Sequence, residues 1–103
     1  MIDVIGTDAG APGSLPPGAQ LLVEQAHLLA APKRLLPALQ QWSACPVALR
    51  CISSDHPIAL SEELLALGSD QRVVVLASGD PLWFGIGRIL IERLGPERLR
   101  FHP

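Results

Sequence analysis

The stretch 73–94, VVVLASGDPLWFGIGRILIERL, constrains the fold of this chain more than any other. Val73, Val74, Val75, Leu76 and Ala77 form a short apolar run rich in β-branched residues, the pattern of a strand buried on both faces of a parallel sheet. The run breaks at Ser78-Gly79-Asp80-Pro81. Asp80 is a good helix N-cap and Pro81 suits the first helical position, where a missing N–H costs nothing. Ile86, Ile89, Leu90 and Leu94 then repeat at helical spacing, and Gly95-Pro96 supplies a stop. Strand, tight polar loop and helix follow one another. In open α/β sheets ligands bind just beyond the carboxyl ends of the strands, so this loop is a candidate site.

The rest of the chain repeats the alternation. Residues 2–5 read as a first strand, interrupted by Asp3 and ending at Gly6. The loop 6–18 holds four glycines and three prolines, a composition that opposes a regular element and lets backbone approach a ligand closely. Helix is expected over about 19–27, with Leu22, Ala26 and Leu29 on one face, and a short small-residue strand within 27–31. The segment 33–42 carries Leu35, Leu36 and Leu39 at helical spacing; Pro37 inside it means a kink or a helix that starts near it. A third strand is expected at 47–52. Ser53-Ser54-Asp55-His56-Pro57 then starts a helix over 58–67 with Leu60, Leu64 and Leu67 on one stripe and Gly68 as its stop, and 98–102 forms a fifth strand. Right-handed crossovers turn this order into an α/β domain: an open parallel five-stranded sheet with helices on both faces.

At 103 residues the chain makes one domain. Hydrophobic content of 49% against 17% charged suits a packed core and opposes disorder. A net charge of −2 offers no electrostatic reason for nucleic acid or an anionic membrane as partner. No aliphatic stretch approaches the roughly 20 residues that span a bilayer, and no basic region precedes an apolar signal core, so a cytoplasmic protein is expected. A strand at 46–52 would hold Cys45 and Cys51 roughly 20 Å apart, beyond disulfide reach, and reads them as buried free thiols. No spacing suggests a metal.

Several residues could carry chemistry. Gly6, Gly10 and Gly13 give G-x-x-x-G-x-x-G, not the dinucleotide fingerprint, and no G-K-[ST] follows; alone, this loop reads as a connection. Asp80 has two open readings, a plain cap or a carboxylate presented with Ser78 and Gly79 to a cofactor. Trp83 and Phe84 read first as core. His27, His56 and His102 share no spacing, and positions at helix boundaries or on the surface account for them. No catalytic triad or paired carboxylate is visible, so the catalytic residues stay unknown.

Taken together, the loop opening VIGTDAG with Leu15-Pro16 and the stretch VVVLASGDPLWFGIGRILIERLGPERL resemble the tetrapyrrole (corrin/porphyrin) methylases. Within that family they are most similar to the decarboxylating precorrin-6Y C5,15-methyltransferases of cobalamin biosynthesis, in the C5-methylating part. The first loop departs from the family pattern: Asp8 and Ala9 stand where a glycine and a proline are expected, and Pro16 replaces a threonine. The resemblance implies the N-terminal domain (residues 1–103) of a two-domain methylase whose C-terminal methylase domain is absent from this chain. S-adenosyl-L-methionine would lie in the cleft between the domains with a precorrin (tetrapyrrole) substrate alongside. It places Ala9, Ser78, Gly79, Asp80 and Pro81 against the cofactor. It also implies a fragment inactive alone, and a homodimer as one way to cover the face left open. A sulfonium donor and an electron-rich macrocycle carbon need alignment and exclusion of water more than a protein nucleophile. Two rival readings differ in ligand: a stand-alone α/β binding or interaction domain without methyltransferase activity, and a nucleotide-binding domain that uses the glycine loop.

Overall fold

The computed structural model describes residues 1–7, 15–42, 49–68, 70–78 and 86–102. Strands β1 (Ile2–Thr7), β2 (Leu28–Ala31), β3 (Arg50–Ser53), β4 (Val73–Ser78) and β5 (Leu99–His102) form one sheet in the order β3-β2-β4-β1-β5. Every pairing is parallel. Helices α1 (Pro17–Glu24), α2 (Leu36–Gln40), α3 (Pro57–Leu65) and α4 (Ile86–Leu94) connect them.

Side chains alternate along each strand, and the two sets pack into two separate cores. Ile2 and Val4, Leu28 and Ala30, and Val73, Val75 and Ala77 face Leu60 and Leu64 of α3 and Leu90 and Leu94 of α4. Ile5, Leu29, Ala31, Val74 and Leu76 face the other way, toward Val23 of α1 and Leu35 and Leu39 around α2. The sheet is therefore covered on both faces, as the strand pattern requires. Each fully buried leucine on these helices contributes about 1.5–3 kcal/mol of apolar transfer energy.

Local chemistry moves several boundaries. The glycine- and proline-rich segment does not hold off regular structure as far as Gly18: α1 begins at Pro17, with Pro16 in extended conformation at the N-cap, because proline at N1 has no N–H to leave orphaned. Residues 33–35 form a 3-10 turn and α2 starts at Leu36 with Pro37 in its first turn, the second of the two options for that segment. Helix α3 starts at Pro57 with His56 at its N-cap and no side-chain cap. Asp55 has a different task. Its carboxylate accepts from the Lys33 backbone N–H (3.0 Å) and the Ser53 hydroxyl (3.2 Å), tying the β3–α3 loop to the start of the 3-10 turn. Cys51 is half-buried against the α1–α2 core, not fully buried as the sequence suggested, because β3 is the edge strand on that side. Cys45, Trp83, Phe84 and the cap geometry expected of Asp80 and Pro81 lie outside the described residues. None of the described helices is long and apolar enough to cross a membrane.

Candidate functional site at the carboxyl edge of the sheet

The sheet order creates one topological switch point. From β1 the chain travels through α1 on one face toward β2; from β4 it travels through α4 on the opposite face toward β5. β1 and β4 are neighbours and the helices that follow them pack on opposite faces, the arrangement at which open α/β sheets form ligand crevices. Register runs to the last residues, pairing Gly6 with Ala77 and Thr7 with Ser78. Adjacent strand ends stand about 4.8 Å apart.

Those two ends are where the sequence-predicted segments depart. Ser78 closes β4, bonded directly to Gly79, and Thr7 closes β1, two residues before Ala9. Ala9, Gly79, Asp80 and Pro81 themselves lie outside the described residues. What the fold establishes is that their anchors are paired neighbours, although just over two-thirds of the chain separates them in sequence.

Polar ties stiffen this edge further along. The Ser54 backbone N–H donates to the Ala31 carbonyl at 2.8 Å, and the buried Ser54 hydroxyl to the Leu76 carbonyl of β4 at 3.4 Å. These bonds link the carboxyl ends of β2 and β4 through the loop after β3. His27 is also accounted for structurally, since its Nδ1 accepts from the Arg72 backbone N–H at 2.9 Å.

The sequence reading missed one cluster. Asp3, buried on the α1 side of β1, takes both Arg100 Nε (2.8 Å) and a terminal guanidinium nitrogen (3.2 Å), and its Oδ1 also lies 2.9 Å from His102 Nε2. An ionised carboxylate only accepts, so His102 Nε2 is the donor to it, and in the neutral tautomer that leaves Nδ1 as an acceptor. The cluster exists because β5 lies parallel to β1, with Asp3 opposite Arg100 and Ile5 opposite His102. Two signals were available in the sequence: a carboxylate interrupting an apolar strand, and Arg100 and His102 two residues apart, hence on one face.

His102 also lines a cavity of about 350 Å³ on the α1 side of the carboxyl edge, with Ile5, Gly6, Pro16, Gly18, Ala19 and Leu22 as its other walls. Among the described residues the walls are mostly apolar, and His102 contributes their one ionisable side chain. The cavity lies beside the end of β1, where the first loop departs. Among the described residues no three His, Cys, Asp or Glu side chains gather as metal ligands would.

With this geometry in view, the chain can be compared with known proteins. It is 34% identical over 103 residues to the cobalt-precorrin-7 C(5)-methyltransferase of Salmonella typhimurium (strain LT2), covering all of this chain and 49% of that protein. The cobalt-precorrin-7 C(5)-methyltransferase of Salmonella typhi matches to the same extent. The chain thus spans about half the length of these relatives. A crystal structure of the methyltransferase CobJ superposes with a TM-score of 0.68 at 20% identity, over 98% of this chain and 44% of that one. That likeness shows the fold, an α/β sheet matching part of a larger protein. No protein-family model matches the chain.

Proposed function

We propose that this chain is the N-terminal α/β part of a tetrapyrrole methylase, which transfers a methyl group from S-adenosyl-L-methionine to a precorrin in cobalamin biosynthesis. The substrate on this reading is of the precorrin-6Y type and the accepting carbon is C5. The carrying observation is the switch point: the Ser78-Gly79-Asp80-Pro81 segment and the loop holding Ala9 depart from paired strand ends, Ser78 beside Thr7. The relatives twice as long, both cobalt-precorrin-7 C(5)-methyltransferases by name, favour methyl transfer to C5 of a precorrin.

The crevice and its neighbouring apolar cavity suit the cofactor as a group. An open carboxyl edge offers backbone polar atoms for its charged end, and the cavity offers apolar walls for its ring. When bound, the cofactor supplies an already activated methyl group. Gly79, Asp80 and Pro81 on one side and Ala9 on the other would hold it, while the second half of the longer relatives would close the crevice and exclude water. The face of β5 that leaves Arg100 and His102 partly exposed is available to that second half, or to a second copy of this chain.

Calorimetric titration of S-adenosylhomocysteine into the 103-residue chain, with Asp80→Ala as comparison, tests this reading. Binding that weakens roughly tenfold in the variant is expected from loss of a charge-assisted contact. Equal binding by both proteins would remove the Gly-Asp-Pro segment from the site. The isolated chain should give no methylated product from a precorrin, and a chain extended to the relatives' length should restore turnover. Turnover by the 103 residues alone would overturn the half-site reading. Assaying cobalt-free precorrin-6Y-type and cobalt-precorrin-7-type macrocycles side by side would identify the substrate.

A further inference from the structure

We propose that His102 is a ligand-reading residue: its Nδ1 accepts a hydrogen bond from an N–H group on a flat nitrogen heterocycle seated in the cavity between β1, β5 and α1. This deepens the methylase reading, which supplies the choice of probes, but its basis is separate and lies in the described residues.

Three observations converge. First, the ring is held. Asp3 is buried, engages Arg100 through both oxygens, and accepts from His102 Nε2 at 2.9 Å. The carboxylate therefore fixes the orientation of the imidazole and, in the neutral ring, selects the tautomer with Nε2 protonated and Nδ1 as the acceptor. Second, His102 borders a cavity whose other walls, among the described residues, are Ile5, Gly6, Pro16, Gly18, Ala19 and Leu22. An apolar space with one oriented polar group is the usual form of a small-molecule site. Its volume of about 350 Å³ is near the lower end of the roughly 300–1,000 Å³ found for such sites, room for one or two rings and not for a whole macrocycle. Third, Gly18 sits exposed at the mouth of the cavity, where a Cβ placed on it meets no atom of the described residues within 4 Å.

An acceptor in an apolar slot selects a ring that carries a donor. Two sources share that chemistry, the exocyclic amine of a fused-ring base such as the adenine of the cofactor and the N–H of a single pyrrole ring at the edge of the tetrapyrrole. Aliphatic amines lack the flat apolar body, and rings with acceptors alone would face Nδ1 lone pair to lone pair.

The test uses two probes, S-adenosylhomocysteine and a linear tetrapyrrole with free pyrrole N–H groups, titrated into the wild-type chain, His102→Gln and Gly18→Leu. His102→Gln keeps an N–H positioned to donate to Asp3 but has no equivalent of Nδ1. One probe should bind wild type, weaken about three- to tenfold in His102→Gln, the range expected for one hydrogen bond, and weaken at least tenfold in Gly18→Leu. The probe that responds identifies the source. Nitrogen-15 NMR of the wild-type ring adds a readout that a purely structural histidine would not move: Nε2 protonated in the free protein, and an Nδ1 resonance that shifts upfield when the responding probe is added. The inference is overturned if neither probe binds, if binding is unchanged in His102→Gln, or if Nδ1 does not respond. S-adenosylhomocysteine binding that depends on Asp80 but not on His102 would overturn this inference and leave the methylase reading standing.

Discussion

Replacing Arg100 by methionine should destabilise the chain more than replacing Asp3 by asparagine, although both break the same pair. The two partners occupy different environments: the Asp3 side chain is only 7% exposed and that of Arg100 is 55% exposed. Arg100→Met keeps the aliphatic stem packed but leaves a buried carboxylate with His102 as its remaining partner. Stranding a fully buried charge costs about 3–5 kcal/mol. The half-exposed position of Arg100 admits water to the carboxylate and reduces this to about 2 kcal/mol. Asp3→Asn removes the charge from the buried side, keeps an acceptor for one guanidinium nitrogen and releases an arginine that water already solvates, so about 1 kcal/mol is expected. The double variant should cost little more than Asp3→Asn, because nothing charged is then left stranded. A double-mutant cycle should therefore give a coupling of about 1.5–2 kcal/mol. Urea unfolding followed by circular dichroism, with linear extrapolation and unchanged slopes, measures all four proteins. The 2 kcal/mol loss corresponds to roughly 8–16 °C in midpoint temperature for a domain of this size. A cycle that closes within about 0.5 kcal/mol, or an asparagine variant less stable than the methionine variant, would refute this account of the cluster.

Two further substitutions test how the elements around it are held. Gly95 ends α4 at φ 88° and ψ 144°, a region that side chains avoid, so Gly95→Ala should cost about 1–3 kcal/mol in the same unfolding assay; an unchanged midpoint would mean that this turn relaxes freely. Leu90 is fully buried between α4 and the sheet, and Leu90→Ala should cost about 2–5 kcal/mol; less than 1 kcal/mol would show that α4 contributes little to the core.

How far the sequence foretells this structure depends on the range of each interaction. The five strands and their parallel α/β arrangement are legible because apolar period and turn chemistry are local, and α2 starting at Leu36 follows from Pro37 alone. Pro17 is equally local but is misread when the glycines around it are weighed more heavily than its own preference for N1. Asp3 is different. Its interruption of the first strand is visible at once, but its partners lie 97 and 99 residues away and meet it only because β5 settles beside β1. Spacing rules applied to His102 in isolation therefore return nothing. The proposed Gly-Asp-Pro segment is the reverse case, prominent in sequence, with Gly79, Asp80 and Pro81 outside the described residues, so the fold speaks for its anchor at Ser78 and for its neighbour at Thr7.

The position of β4 at the centre of the sheet explains how one edge can host both features. β4 lies between β2 and β1, so the chain must reverse its direction of travel between β3 and β4, and that reversal makes the β1–β4 boundary the switch point. Placing β5 on the far side of β1 then brings His102 to the same carboxyl edge, one strand away from the crevice. A site for a pre-activated donor needs two surfaces that approach one another and a way to orient rings between them; it needs no nucleophile. On the proposed reading the parallel sheet would supply the first requirement through the paired ends at Thr7 and Ser78. The buried carboxylate of Asp3 can supply the second, because it converts a surface imidazole into one with a fixed direction and a fixed acceptor. The arginine that neutralises Asp3 is then part of the recognition apparatus as well as of the fold. Arg100→Met should consequently weaken any ligand held by His102 even under conditions where the protein remains fully folded.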